Sequence, residues 1–323
     1  MRAVQVETPD GPTALKVNDV AEPVAGPDDV LVEVHSVGVS FPDLLLSRGE
    51  YQMKPEMPFN VGVDFAGVVL DPGNSDFRAG QRVAGVAGWG NAAERVASPK
   101  AWTFPLPDSL SFDEGAALPM NYLTAQFALK HRGGIAAGDT VLVHGAAGGV
   151  GTATIQVAKG YAARSIAVVS TSEKAEVARA AGADEVVLVD GFKDAVKGLT
   201  GGRGVDIVLD VVGGDLFTDS LRCLAEQGRL LVVGFAASPV IPEVKVNRLL
   251  LNNIDVRGVG WGAFAMMRAD FMQEQWSELM PMIESGVVKP PIGATYEMKD
   301  FGQALTDMAD RRTLGKSVVR VKA

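Results

Sequence analysis

One cysteine, Cys223, and three histidines, His35, His131 and His144, are all that 323 residues supply of the softer metal-ligating side chains. A single cysteine excludes an intrachain disulfide and any cysteine-cluster zinc site. The histidines are scattered, and none has a second His or Cys at ligand spacing. Each reads as structural: His35 in an alternating strand, His131 at a helix end, His144 beside a glycine-rich turn. Leu221 and Leu224 flank Cys223, which reads as a small buried hydrophobe on a helix rather than a nucleophile. No run of Lys and Arg exceeds two, and a net charge of −9 argues against a nucleic-acid surface. No apolar run approaches the roughly eighteen residues that span a bilayer, and the opening MRAVQVETPD lacks the apolar core of a signal peptide. The expectation is a cytoplasmic protein without membrane or nucleic-acid partners. Neither an internal repeat nor a low-complexity segment is present.

What is there suits an ordinary globular protein: 47% hydrophobic and 21% charged residues. The length makes two domains the natural prior and allows a large core. The stretch Asp139 to Lys159, DTVLVHGAAGGVGTATIQVAK, organises the rest. Val141, Leu142 and Val143 form the short apolar run of a buried parallel strand, which stops at a glycine-rich turn leading into an amphipathic helix. Gly148 and Gly149 let the main chain bend tightly and approach a pyrophosphate, and Gly151 lets the helix sit close on its strand. N–H groups at the helix start then face the anion. In the G-x-G-x-x-G spacing the first glycine is Ala146, and a tight turn with no ligand would read similarly.

The second strand, Ser165 to Val169, bears on cofactor choice. About twenty residues after the last glycine, where NAD-binding proteins place an acid on the ribose 2′-hydroxyl, stands Ser170. The sequence continues Ser170-Thr171-Ser172-Glu173-Lys174. Three hydroxyls and an ammonium suit a 2′-phosphate that a carboxylate would repel, so NADPH is expected over NADH. The same hydroxyls also suit the cap of a helix starting near Glu173.

Residues 1 to about 123 read as mostly antiparallel β, with strands at Asp29–Val39, where Val30, Val32 and Val34 share one face, and at Val61–Leu70. From Thr124 the period changes. Asp139–Gly145, Ser165–Val169, Glu185–Asp190, Val205–Val211, Gly228–Gly234 and Ile254–Val259 are six strands with intervening helical or polar stretches. That pattern describes an α/β doubly wound parallel sheet of the Rossmann kind over residues 124–263. The tail, residues 264–323, carries helices at Ala269–Ser285 and Lys299–Arg311 and a strand at Lys316–Val321, and is expected to return to the first domain.

Four motifs, Ala146 to Gly151, NYLTA from Asn121 to Ala125, GVDIVLDVVGG from Gly204 to Gly214 and VVGFA from Val232 to Ala236, are joined by FPDLLLSRGEY from Phe41 to Tyr51. Together they resemble the zinc-independent, zeta-crystallin-like quinone oxidoreductase branch of the medium-chain dehydrogenase/reductase superfamily, over the whole chain. The resemblance implies a GroES-like catalytic domain over 1–123 and cofactor contacts at Ser40, Phe41, Thr124, Ala147, Gly148, Gly149, Val150, Ser170, Thr171, Ser172, Lys174, Gly234, Phe235 and Ala236, with Gly260 and Trp261 towards the nicotinamide end. Many members have Asn where Ser40 stands, zeta-crystallin has a cofactor-contacting Tyr in place of Leu45, and the third-strand end, often Tyr or His, is Val189. Zinc alcohol dehydrogenases of the superfamily carry ligands at positions matching Ser40, Val63 and Met120, none of which is a good ligand here.

Without a Lewis acid, an acceptor that takes hydride easily is the better partner, a quinone or an activated double bond. The protein then has mainly to position donor and acceptor within about 3 to 3.5 Å. Tyr51 is the candidate donor to a developing oxyanion; packing at a loop edge among Pro55 and Met57 is its bland alternative. Asp43 reads as a loop brace. Trp261, Phe264, Met266 and Met267 would suit an apolar acceptor pocket or simply core. An enoyl-thioester reductase is the rival on the same scaffold, with Arg248, Arg257 and Arg268 as its only suggestive cations. A non-catalytic NADPH-binding or RNA-binding role is the rival of another class, disfavoured by the acidic balance. Relatives commonly pair through the edge strand, so a homodimer through Ile254–Val259 is expected.

Overall fold

The computed structural model describes residues 1–236, 241–268 and 270–322; Ala269, at which one expected tail helix begins, and Ala323 lie outside the described residues. The chain divides into two compact units. One holds Met1–Asn121, Arg268–Ser277 and Ile292–Ala323, the other Tyr122–Met267 and Glu278–Pro291, so the tail is shared between them.

The first unit is built on a seven-stranded sheet in the order Ile292–Glu297, Lys316–Arg320, Asp29–Gly38, Asp64–Asp71, Arg82–Val86 and Thr103–Pro105, with Arg95–Pro99 also paired to Asp29–Gly38. Every pairing is antiparallel except that of Ile292–Glu297 with Lys316–Arg320. A smaller sheet joins Lys16–Asp19, Arg2–Val6 and Phe59–Asn60. The alternation read from the sequence is realised, since Val30, Val32 and Val34 are all buried in one core. The expected strand at Val61 begins only at Asp64, because Gly62 sits at φ +98°. A Cβ there would meet the Ala92 nitrogen at 2.3 Å.

Helices interrupt what read as continuous β. Phe41–Ser47 and Phe112–Ala117 are each opened by a serine with an acid three residues on. Asp43 Oδ2 accepts from Ser40 N at 3.0 Å, and Glu114 Oε2 accepts from Ser111 N at 2.7 Å. Each acid thus satisfies an N–H that would otherwise be orphaned at the helix start.

The second unit holds the parallel sheet, in the order Glu185–Leu188, Arg164–Val169, Thr140–His144, Val205–Asp210, Leu224–Val232 and Asp255–Gly258. Its two central strands are fully buried around the apolar runs Val141–Val143 and Ile207–Leu209. Strand order reverses between Thr140–His144 and Val205–Asp210, and such a reversal opens a crevice at the strands' carboxyl ends. Among the described residues no helix is long and apolar enough to cross a membrane.

Candidate active site

Three turns converge at the reversal. Gly145 leaves the first central strand at φ +63°, and a Cβ on it would come within 2.8 Å of Val211 Cγ2 on the turn after the neighbouring strand. That turn is held by Asp210, whose Oδ1 accepts from the Val212 and Gly213 nitrogens at 2.8 and 2.9 Å. The third turn, Gly234 to Ala236, joins it through Ala236 N to Val211 O at 3.0 Å, and a Cβ on Gly213 would meet Phe235 Cδ1 at 2.8 Å. The candidates Ala147 to Val150 and Gly234 to Ala236 therefore lie along one crevice.

Gly148 is the extended N-cap of the helix Gly149–Gly160 and brings no side chain to accept from the helix's first N–H groups. Gly148, Gly149 and Val150 are partly exposed. An uncapped, glycine-lined helix start of twelve residues fits an anionic phosphate. One strand over, Ser170, Thr171 and Ser172 are exposed and Lys174 is half-buried. Thr171 Oγ1 accepts from Lys174 N at 3.2 Å, so this hydroxyl caps the helix Ser172–Ala180 and keeps its own proton to donate. No carboxylate stands at the strand end; Glu173 is the first acid.

His144, immediately before the glycine-rich turn, is fully buried. Ser220 Oγ donates to Leu216 O at 2.7 Å, so the contact of 2.8 Å with His144 Nε2 is one in which the ring donates. Burial lowers the His144 pKa and the Asp210 carboxylate opposes it. The imidazole is a structural prop of the turn. Cys223 closes the helix Leu216–Cys223, with its thiol pushed by burial to about 12, which makes it inert.

The remaining candidates are distributed. Thr124 is buried in the helix Pro119–Gln126. Gly260 is exposed, whereas Trp261 is only 3% exposed and opens the short helix Trp261–Ala265. Phe264 packs on Phe127 with ring centroids 5.1 Å apart, and Met267 is 82% exposed. The four residues read as one acceptor pocket thus split: Trp261 opens the short helix and is buried, whereas Met267 lies beyond the helix end at Ala265 and is exposed.

In the first unit a buried polar cluster brings together residues that no local sequence pattern links. Lys316, at 4% side-chain exposure, lies 2.9 Å through Nζ from Oδ2 of the wholly buried Asp64. Lys316 Nζ also donates to Ser40 Oγ at 2.5 Å, and Ser40 Oγ is 2.9 Å from Asp64 Oδ2. Asp64 Oδ1 accepts from Met120 N at 2.8 Å. Asp43 completes the group, accepting from Ser40 N and, through Oδ1, from Gly62 N at 2.9 Å. The brace expected of Asp43 is what these bonds make. Phe41, the first residue of its helix, is 39% exposed beside the buried Ser40. Tyr51 is half-buried against the same core, its phenol raised in pKa by burial and by Asp43.

Burial carries the Asp43 carboxyl up to about 7, against the two N–H bonds that favour its ionised form. Because the folded value exceeds the unfolded 3.8, its contribution to stability is complete below 3.8 and is lost as pH rises through about 7. Wild type is therefore expected to lose stability relative to Asp43→Asn between about pH 5 and pH 7, by up to about 1.4 kcal/mol per pH unit. Denaturant melts of both proteins check it; a difference that stays constant with pH would mean Asp43 is ionised throughout.

Comparison with known proteins agrees with this architecture. Residues 26–108 match the alcohol dehydrogenase GroES-like domain and residues 149–285 the zinc-binding dehydrogenase family. Quinone oxidoreductase-like protein 2 of Rattus norvegicus is 38% identical over 95% of this chain and 89% of its own length. The quinone oxidoreductase of the same organism is 34% identical over 95% of this chain and 94% of its own. Among solved structures, the quinone oxidoreductase of Thermus thermophilus, determined also as its complex with NADPH, superposes with a TM-score of 0.85 at 34% identity, covering 99% of this chain and 100% of that one. The fold and the two family models define an oxidoreductase that joins a GroES-like domain to a Rossmann-like parallel sheet. The chain belongs to the quinone oxidoreductase family of the medium-chain dehydrogenase/reductase superfamily.

Proposed function

We propose that this protein reduces a quinone with hydride from NADPH and without a metal. The observation that carries the metal-free reading is Lys316. Its ammonium occupies the Ser40 oxygen at 2.5 Å and the Asp64 carboxylate at 2.9 Å, and a cation has no reason to settle beside another with Val63 and Met120 as its remaining neighbours by resemblance. NADPH supplies the hydride when bound, as solved relatives determined with that cofactor support. The turn Ala147 to Val150 binds the pyrophosphate through main-chain N–H groups. Ser170, Thr171, Ser172 and Lys174 bind the 2′-phosphate. Ser40, Phe41, Thr124, Gly234, Phe235, Ala236, Gly260 and Trp261 complete the cofactor contacts, Trp261 through its main chain since its ring is buried.

Tyr51 donates a hydrogen bond to the oxyanion that forms on the acceptor, and water supplies the final proton. Its raised pKa keeps the phenol protonated, as a donor must be. Tyr51→Phe is expected to lower kcat about tenfold with the KM for NADPH unchanged; an unaltered kcat assigns Tyr51 to packing alone.

The deciding assay is NADPH oxidation with 1,4-benzoquinone against a simple enone and an enoyl thioester, with NADH alongside. Fast turnover with the quinone and preference for NADPH are expected. Turnover with the enone or thioester alone would move the function to double-bond reduction. Against the thioester stands Arg257, which is committed to Arg132 O at 2.8 Å and to Asp255. We further infer a cytoplasmic homodimer. Asp255–Gly258 is an edge strand, and the adjacent helix Asn247–Asn252 exposes Leu250 and Leu251 at 77% and 74%, a surface that wants cover. A monomeric mass in sedimentation equilibrium would refute the pairing.

A further inference from the structure

Lys316, Asp64, Ser40 and Met120 come from four segments far apart in the chain, and the ammonium, carboxylate, hydroxyl and amide they bring together are all partnered. An ammonium buried to 4% exposure is costly, and it persists only where geometry repays the loss of water. The fit is close on all sides. A Cβ on Gly38 would lie 2.9 Å from Lys316 Cε, 3.0 Å from Asp64 Cβ and 2.1 Å from Ala116 O. The strand Lys316–Arg320 pairs with Asp29–Gly38, so the lysine enters the cluster from a rigid neighbour rather than from a loop.

The consequence falls on two helix starts. Ser40 caps the helix Phe41–Ser47, and its nitrogen and oxygen are fixed by Asp43 and Lys316 respectively. Met120, the second residue of the helix Pro119–Gln126, is fixed through its nitrogen by Asp64, beside which Lys316 places its charge. The Ser40 hydroxyl also has room to act. If it turns its proton from Asp64 Oδ2 towards a ligand, that oxygen keeps Lys316 Nζ at 2.9 Å and no buried group is left unpaired.

We propose that Lys316 is a positioning residue for the reaction, holding the Ser40 hydroxyl and the Met120 helix start where the bound nucleotide meets them. The inference rests on the reading of Ser40 as a cofactor contact. Removing the cation alone would leave the buried Asp64 carboxylate without a counter-charge, so Lys316→Met confounds folding with function. The test is the double variant Lys316→Met/Asp64→Asn, in which the amide oxygen still accepts from Met120 N and the amide nitrogen donates to Ser40 Oγ.

The double variant is expected to melt close to wild type while its KM for NADPH rises about tenfold. Fluorescence titration with NADPH separates affinity from turnover. Wild-type affinity and kcat in a folded double variant would overturn the proposal. If the double variant does not fold, Ser40→Ala decides. It should show the same rise in KM, and adding Lys316→Arg to it should change KM no further, since both act through one hydroxyl; independent, additive effects would overturn the proposal. Failure of wild type to bind NADPH at all would instead remove the functional reading, a distinct result.

Discussion

Gly151→Ala is expected to destabilise the protein by about 3 kcal/mol and to abolish NADPH binding. The added Cβ would stand 2.2 Å from Gly145 O and 2.7 Å from Ala146 Cα, both main-chain atoms that no rotamer change can clear. The helix Gly149–Gly160 must therefore retreat from its strand. Its far side resists, because Gln156 accepts from Tyr122 Oη at 2.7 Å and from Lys289 N at 2.9 Å. The strain concentrates at the turn, where the phosphate would bind. Gly148→Ala is the control for stability alone, since its Cβ would lie 3.3 Å from Gly145 O, a contact relieved by a small shift. Chemical denaturation and NADPH titration read the two effects separately. A stable Gly151→Ala protein with undiminished affinity would take the pyrophosphate away from this turn.

Lys174→Ala should weaken NADPH binding by roughly 1.5 to 3 kcal/mol, the value of a charge-assisted hydrogen bond, and leave NADH nearly unaffected. Lys174 contributes its main-chain N–H to the Thr171 cap, and alanine keeps that N–H. Calorimetric titration with both nucleotides checks the prediction. Equal NADPH affinity before and after would remove Lys174 from the phosphate site; equal losses for both nucleotides would show that it acts on something other than the 2′-phosphate.

The parallel sheet was legible because its strands are local signals. Val141 to Val143 or Ile207 to Leu209 are apolar on both faces, and a glycine-rich turn marks the first crossover. The helix starts at Ser40 and Ser111 were legible in principle, as S-x-x-D and S-x-x-E, but the surrounding β pattern masked them. The Lys316 cluster was not. Its partners are 276 and 252 residues away, and no local pattern encodes such a contact. The one hint is a lysine opening the run Lys316-Ser-Val-Val, all four of them buried. Edges erred where a side chain intervened: the expected strand at Val61 is delayed by the Asp43 bond to Gly62 N. For the acceptor, sequence and structure are equally terse, because an apolar pocket is a matter of shape and the residues proposed for it face different ways.

Lys289 is an exposed lysine in a stretch without regular secondary structure. Yet Gln156 accepts from its N–H at 2.9 Å and donates to its C=O at 2.8 Å, both through one buried amide that imitates the rung of a sheet. The Lys289 amide should therefore exchange its hydrogen slowly until the helix bearing Gln156 comes loose, so that its exchange reports the opening of the whole parallel-sheet unit rather than the motion of a linker.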